Sequence, residues 1–264
     1  MSRVGAHFKS KKENKSLNFE DRVDILGVNI SRVTQKQVRS RIECSLDADI
    51  PLTIFTPNPE IIMLAQEDES LKSLLNGADL LLPDGIGVVV ASKILRDPIP
   101  ERITGIDTGE FILNLAAERA IPIFLLGAKE GVAERAAKEI STRYPGIKIV
   151  GTQHGYFNKS GYENDAILKK INNSGAHILF VCFGAPMQEV WISENKKHLK
   201  SVKLYIGLGG SLDVWSKDVS RAPQTLQIIG LEWLWRILKE PHRAGFLLKI
   251  PCFLCKVLCR KISQ

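Results

Sequence analysis

The chain has 264 residues, 44% of them apolar, and a formal net charge of +7. That length and apolar share suit one large domain, or one domain plus an appendage, with a sizeable core. The positive excess sits at the two ends. Because the C-terminal end is apolar as well as basic, it points to an anionic membrane surface and away from nucleic acid.

Residues 1–19, "MSRVGAHFKSKKENKSLNF", are polar, basic and aperiodic, and read as a flexible tail. They lack the apolar core of a secretory signal. "RVDILGVNIS" then opens the domain, and helical "TQKQVRSRIECSL" leads into the short β-rich run "LTIFTP". "PEIIMLAQEDESLKSLLNGA" reads as one helix or two, "DLLLPDG" as a strand ending in a turn, and "IGVVVASKIL" as a buried helix. The pattern continues with helical "IDTGEFILNLAAERA", strand "IPIFLLG", amphipathic "KEGVAERAAKEISTRY" and strand "IKIVGTQHG". "YENDAILKKINNSG" is a helix with a glycine stop, "HILFVCFG" a strand, "MQEVWISENKKHL" a helix and "KLYIGLGG" the last strand. Short β-runs alternating with helices predict an α/β fold: a Rossmann-like, mostly parallel sheet with helices on both faces.

Past "GLGGSLDVWSKDVSRAPQ" the sequence turns helical, aromatic and basic. The expected organisation is therefore a tail over 1–19, an α/β domain over 20–222 and a helical, membrane-associating appendage over 223–264, with the boundary near Arg221–Thr225. In the appendage Arg236, Lys239 and Arg243 share one helical face. Pro241 and Pro251 are expected to break it into shorter helices. "FLLKIPCFLCKVLC" is interrupted by Lys249, Pro251 and Lys256, so no run reaches the roughly 20 apolar residues of a spanning helix. A core-docked helix with a solvated charged face and a membrane-facing helix both fit this segment. Of the five cysteines, Cys44 and Cys182 lie in predicted elements as small core residues, and Cys252, Cys255 and Cys259 cluster in the appendage. No disulfide framework emerges, which indicates a reducing compartment.

Polar or glycine-rich sequence follows several strands, and in an open parallel sheet the carboxyl ends line one crevice. "TPNPE" places Thr56 and Asn58 there, although Asn58 and Pro59 also have the pattern of a helix cap. "LPDG" places Asp84 as either a turn residue or a general base. "LLGAKEG", "CFGAPMQE" and "GLGGSLD" supply Gly127, Gly184, Gly209 and Gly210. These glycines make either ordinary strand–helix turns or loops whose N–H groups meet phosphate. Gln188, Glu189 and Arg102 stand beside these loops; capping and solvation are their plain alternatives. Asp47 and Asp49 form a D-x-D, but they precede a strand and so belong to the wrong end of the sheet for a metal site. No cluster has convincing metal-ligand spacing, no metal or cofactor is expected, and no nucleic-acid motif is present.

Taken together, "TPNPEIIMLAQ", "LLPDGIGVVVAS", "PERITGID", "IFLLGAKEGVAERAA", "LFVCFGAPMQEVWI", "GLGGSLDVWSKDVSRAPQ" and "GLEWLWRILKEPHR" resemble the WecG/TagA/CpsF glycosyltransferase family over roughly residues 22–245. The resemblance implies a metal-independent, inverting transfer of an N-acetylmannosamine-type sugar from a UDP donor. The acceptor it implies is N-acetylglucosamine on undecaprenyl diphosphate, at the cytoplasmic face of the membrane, for teichoic acid or a related surface polymer. It maps the active-site pocket onto Thr56, Asn58, Asp84, Arg102 and Gln188, with Asp84 as base, and associates Asp213 with UDP. It maps Arg236 and Arg243 onto appendage residues that close the site over the lipid diphosphate. Phe246 stands where TagA-like relatives have a third arginine, with Lys249 as its substitute. A uronic-acid or other UDP-sugar donor is the alternative within the family; a membrane-associated nucleotide-binding regulatory module is the alternative outside it. Self-association stays open.

Overall fold

A computed structural model describes residues 21–239 and 246–262. The expected tail over 1–19, Pro241 and Arg243 lie outside them. The first element is a hairpin of β1 (Arg22–Ile25) and β2 (Val28–Ser31). Its turn is Leu26–Gly27, both at positive φ, which matches the right-handed twist of the strands it joins. Val23, Ile25, Val28 and Ile30 face one way into the core.

The main sheet contains β3 (Leu52–Phe55), β4 (Leu80–Leu81), β5 (Pro122–Gly127), β6 (Lys148–Gln153), β7 (Ile178–Cys182) and β8 (Leu204–Gly207), all parallel, in the order β4-β3-β8-β7-β5-β6. Successive side chains of a strand point to opposite faces. Ile54, Leu125, Phe180 and Ile206 accordingly enter one core cluster, while Phe55, Leu126, Val181 and Tyr205 enter the other. Both faces of β3, β5, β7 and β8 are buried, which is why these strands are mostly apolar and show no alternation in sequence, whereas the edge strand β6 is partly exposed and carries polar residues.

The helices are α1 (Gln35–Ala48), α2 (Pro59–Leu64), α3 (Glu69–Asn76), α4 (Ile86–Ile94), α5 (Gly105–Arg119), α6 (Val132–Arg143), α7 (Gly161–Ser174), α8 (Met187–Asn195) and α9 (Ser211–Trp215). The segment after β3 forms two helices, because Asp68 caps a new start by accepting from Ser70 and Leu71 N–H. Gly175, at φ +67, ends α7 as the sequence anticipates.

After residue 222 come α10 (Gln224–Ile228), α11 (Glu232–Lys239) and α12 (Phe246–Ile262). Pro251 does not break α12, contrary to expectation. Tertiary docking outweighs the lost backbone bond, which costs about 3 kcal/mol. Phe253 and Val257, one turn apart, are fully buried against the domain, and α12 packs on α2 and α4. Lys249 pairs with Glu60 at 2.7 Å and Arg260 with Asp24 at 2.6 Å, pinning both halves of the helix. Cys252, Cys255 and Cys259 face outward. Phe253→Ala should therefore lower stability by about 3–5 kcal/mol in urea denaturation. Cys255→Ala, on the solvent side, should stay within about 0.5 kcal/mol.

Candidate active site

The chain passes from β4 at one edge to β5 on the far side, and β7 and β8 later fill the space between. The loops after β3, β4, β7 and β8 thereby meet around one cavity of about 500 Å³. Thr56, Asn58, Asp84, Arg102, Gly184, Gln188, Gly209 and Gly210 all line it.

Thr56 is buried, and its hydroxyl donates to Gly207 O at 3.4 Å, across the β3–β8 seam. Gly105 packs against it: a Cβ there would lie 3.2 Å from Thr56 Oγ1. Asn58 is both a helix cap and a cavity residue. Its Oδ1 accepts from Ile61 N at 3.1 Å as the cap of α2, with Pro59 in the first turn, while the residue also borders the cavity.

Asp84 Oδ2 lies 3.5 Å from Gly105 N, the first N–H of the fifteen-residue α5. Free N–H groups and the helix dipole make that end partially positive, which suits a carboxylate. Thr104 caps the same helix by accepting from Asp107 N at 3.2 Å. Arg102 donates to Gln227 O at 2.7 Å and so ties the cavity rim to α10.

Gln188 is almost wholly enclosed. Its Oε1 accepts from Gly209 N at 2.8 Å, and its Nε2 donates to Glu189 Oε1 at 2.9 Å. It acts on the cavity by holding the β8 loop. Gly184 and Gly209 adopt φ of +81 and +53 with open space where a Cβ would stand. Gly127 is outside the cavity lining: a Cβ there would lie 2.3 Å from Cys182 O, so its role is close β5–β7 approach. Asp213 is also outside the lining. Its side chain stands near Gly210, 3.5 Å from where a Cβ would be, and its carbonyl accepts from Val219 N. Arg236 falls in α11, but its side chain is outside the described set, as is Arg243.

The sequence left several wall residues unassigned. Glu60, Glu232, Trp233, Ile237 and Ile250 border the cavity, with Lys249 beside them. Trp233 and Ile237 are one helical turn apart and share a face of α11. Arg221 fixes this helix by pairing with Asp107 at 2.6 Å and Glu232 at 3.3 Å. Glu60 and Trp233 both sit inside motifs that mark the family, which is the signal that could have found them. Asp47 pairs with Arg119 and Asp49 with Lys203, both ahead of β3 and away from the cavity. Among the described residues no cluster of three or more His, Cys, Asp or Glu has an arrangement able to hold a metal.

This is the layout of an α/β enzyme that works at the carboxyl edge of a parallel sheet. The chain belongs to the glycosyl transferase WecG/TagA/CpsF family, whose family model matches residues 23–264. It is 37% identical over 213 residues to a Bacillus subtilis (strain 168) protein, covering 81% of each chain. That relative is named N-acetylglucosaminyldiphosphoundecaprenol N-acetyl-beta-D-mannosaminyltransferase. It is 35% identical over 238 residues to the protein of the same name from Staphylococcus aureus (strain MRSA252), covering 89% of this chain and 92% of the relative.

Burial pushes the Glu189 carboxyl up to about 7, and the Gln188 hydrogen bond only partly offsets it. A raised carboxyl binds its proton more tightly in the folded state. Its contribution is fully present below the unfolded value near 4.5 and is lost as pH rises through about 7. Glu189→Gln removes this slope. The parent should lose roughly 3 kcal/mol relative to the variant between pH 4.5 and 8, by denaturation at each pH.

Proposed function

We propose that this protein transfers N-acetylmannosamine from a UDP donor to the 4-hydroxyl of N-acetylglucosamine carried on undecaprenyl diphosphate, at the inner surface of the cell membrane. One observation carries this reading. The lining of a single cavity joins polar and glycine residues from the loops after four strands with the apolar side chains of Ile61, Leu64, Trp233, Ile237 and Ile250. A sugar diphosphate on a lipid needs both surfaces side by side. The names of the relatives, and the family itself, supply the sugar and the acceptor.

In this reading Asp84 takes the proton from the acceptor hydroxyl as its oxygen attacks the anomeric carbon. Attack from the face opposite UDP inverts that centre and breaks its bond to the phosphate oxygen. Thr56 and Asn58 hold the sugars beside Asp84. The loops with Gly184, Gly209 and Gly210, together with Arg102, meet the charge that develops on UDP, so no metal is required. Asp213 supports the loop that binds the donor. Arg236, Arg243 and Lys249 meet the acceptor diphosphate through charge-assisted hydrogen bonds.

No described helix is long and apolar enough to cross a membrane. Docking would be peripheral, through the exposed apolar side chains of Ile228, Ile229, Leu238, Leu258 and Ile262 and their basic neighbours.

Purified protein, a lipid-linked N-acetylglucosamine acceptor and a panel of UDP-sugars, with product mass as readout, test the reaction. Asp84→Asn should keep its fold and UDP binding and lose at least about 10²-fold in turnover. Full activity of that variant removes Asp84 from the base role and favours a binding module. Chelator should leave the parent active. In vesicle flotation the protein should bind anionic vesicles at low salt and release at high salt. Ile228→Ser with Ile229→Ser should weaken that binding without changing turnover on a short-chain acceptor.

A further inference from the structure

Glu189 has no assigned role in the chemistry above, yet burying it is costly. It sits in the first turn of α8 with no exposed surface and is outside the cavity lining. Its Oε2 has no hydrogen-bond partner among the described residues. A buried carboxyl with a bare oxygen is destabilising, and a leucine of similar volume would avoid the penalty. Something must require an acceptor at this place.

The requirement lies one residue away. A glutamine amide has two ends of nearly equal size, one accepting and one donating. Gly209 N–H needs the accepting end, and Gln188 Oε1 supplies it at 2.8 Å. The donating end, Nε2, then needs an acceptor of its own, and Glu189 Oε1 supplies that at 2.9 Å. In either protonation state of Glu189 this oxygen accepts, so the direction of the amide is fixed. The amide also lies flat on β8: a Cβ at Gly207 would come within 2.7 Å of Nε2. Carboxyl, amide and loop N–H therefore form one chain of hydrogen bonds from the interior to the cavity wall, which Leu208, Gly209, Gly210 and Ser211 line.

We propose that Glu189 is a positioning residue. It locks the Gln188 amide in the orientation that holds Gly209 N–H, and so keeps the glycine loop preformed to receive the donor's diphosphate. The last step rests on the donor assignment made above; the lock itself does not. Preforming the loop removes an ordering cost from binding, so its loss should appear in donor affinity and not in acceptor affinity.

The test compares Glu189→Leu, Glu189→Gln and Gly207→Ala with the parent. Hydrogen exchange at the Gly209 amide reads the lock without any ligand. Calorimetry with UDP, and the KM for the UDP-sugar against the KM for the lipid acceptor, read its consequence. Glu189→Leu should unfold at an equal or higher temperature at pH 8, because it no longer buries a carboxyl. Its Gly209 amide should exchange about tenfold faster, the equivalent of one lost hydrogen bond. Its donor KM should rise by about tenfold, with the acceptor KM within about twofold.

Glu189→Gln can still offer an oxygen to Nε2 and should stay close to the parent in all three. Gly207→Ala displaces the amide without touching the carboxyl and should reproduce the leucine variant; it keeps the test open if that variant fails to fold. Unchanged Gly209 exchange in Glu189→Leu, or equal acceleration in Glu189→Gln, overturns the proposal. Faster Gly209 exchange in a protein whose parent binds no UDP leaves the lock standing and removes the donor assignment.

Discussion

Each central strand of the parallel sheet buries both of its faces, and this determines where polar chemistry can stand. A side chain on β5, β7 or β8 has a core cluster above it and another below. The strands offer ligands little there. At their carboxyl ends the ladder stops, backbone groups come free and the chain must turn. The strand order adds the second condition, since β7 and β8 return to the space between β3 and β5. Loops far apart in sequence, from Thr56 to Ser211, are thereby brought to one cavity.

The cavity is completed by elements that the sheet does not supply. Helices α10, α11 and α12 are held over it by polar contacts at separate points. Arg102 reaches Gln227 O, Arg221 bridges Asp107 and Glu232, and Lys249 meets Glu60. Several of these charged groups also border the cavity. An anionic ligand entering beside Lys249 or Arg102 would compete with Glu60 or with the Gln227 carbonyl for the same donors. The contacts that hold the cover are thus the ones a ligand can exchange with. Phe253 and Val257, buried on the core side of α12, anchor the cover independently of that exchange.

The fold was largely legible because its signals are local. Apolar runs four to six residues long, bounded by turns and helices, mark β3, β5, β7 and β8 well. β4 shrinks to Leu80–Leu81 although "DLLL" reads as longer, because it pairs with only two residues of β3. Pro251 misleads because its local penalty is overruled by long-range packing and ion pairs that no window of sequence contains. The candidate site divides the same way. Thr56, Asn58, Asp84 and the glycines of the β7 and β8 loops follow strand ends, and Gln188 opens the helix after β7, so their place at the cavity was readable. Gly127 has the same signature, but its conformation serves contact with Cys182. Trp233, Ile237 and Glu60 were unassigned because their place depends on how the appendage docks.

Asp84 and Glu189 stand in contrasting environments. Asp84 stands at the cavity with one oxygen turned to the N-terminus of α5, where a charge is tolerated and a ligand can reach it. Glu189 lies outside the cavity lining, sealed from solvent, with the Gln188 amide as the side-chain donor to it among the described residues. It does not border the cavity, and its link to the cavity wall runs through Gln188 to the Gly209 N–H. The first residue is legible from its strand-end position. The second is visible only when each buried hydrogen-bonding group is followed to its partner, because its neighbour in sequence, Gln188, is also the element that carries its influence to the cavity.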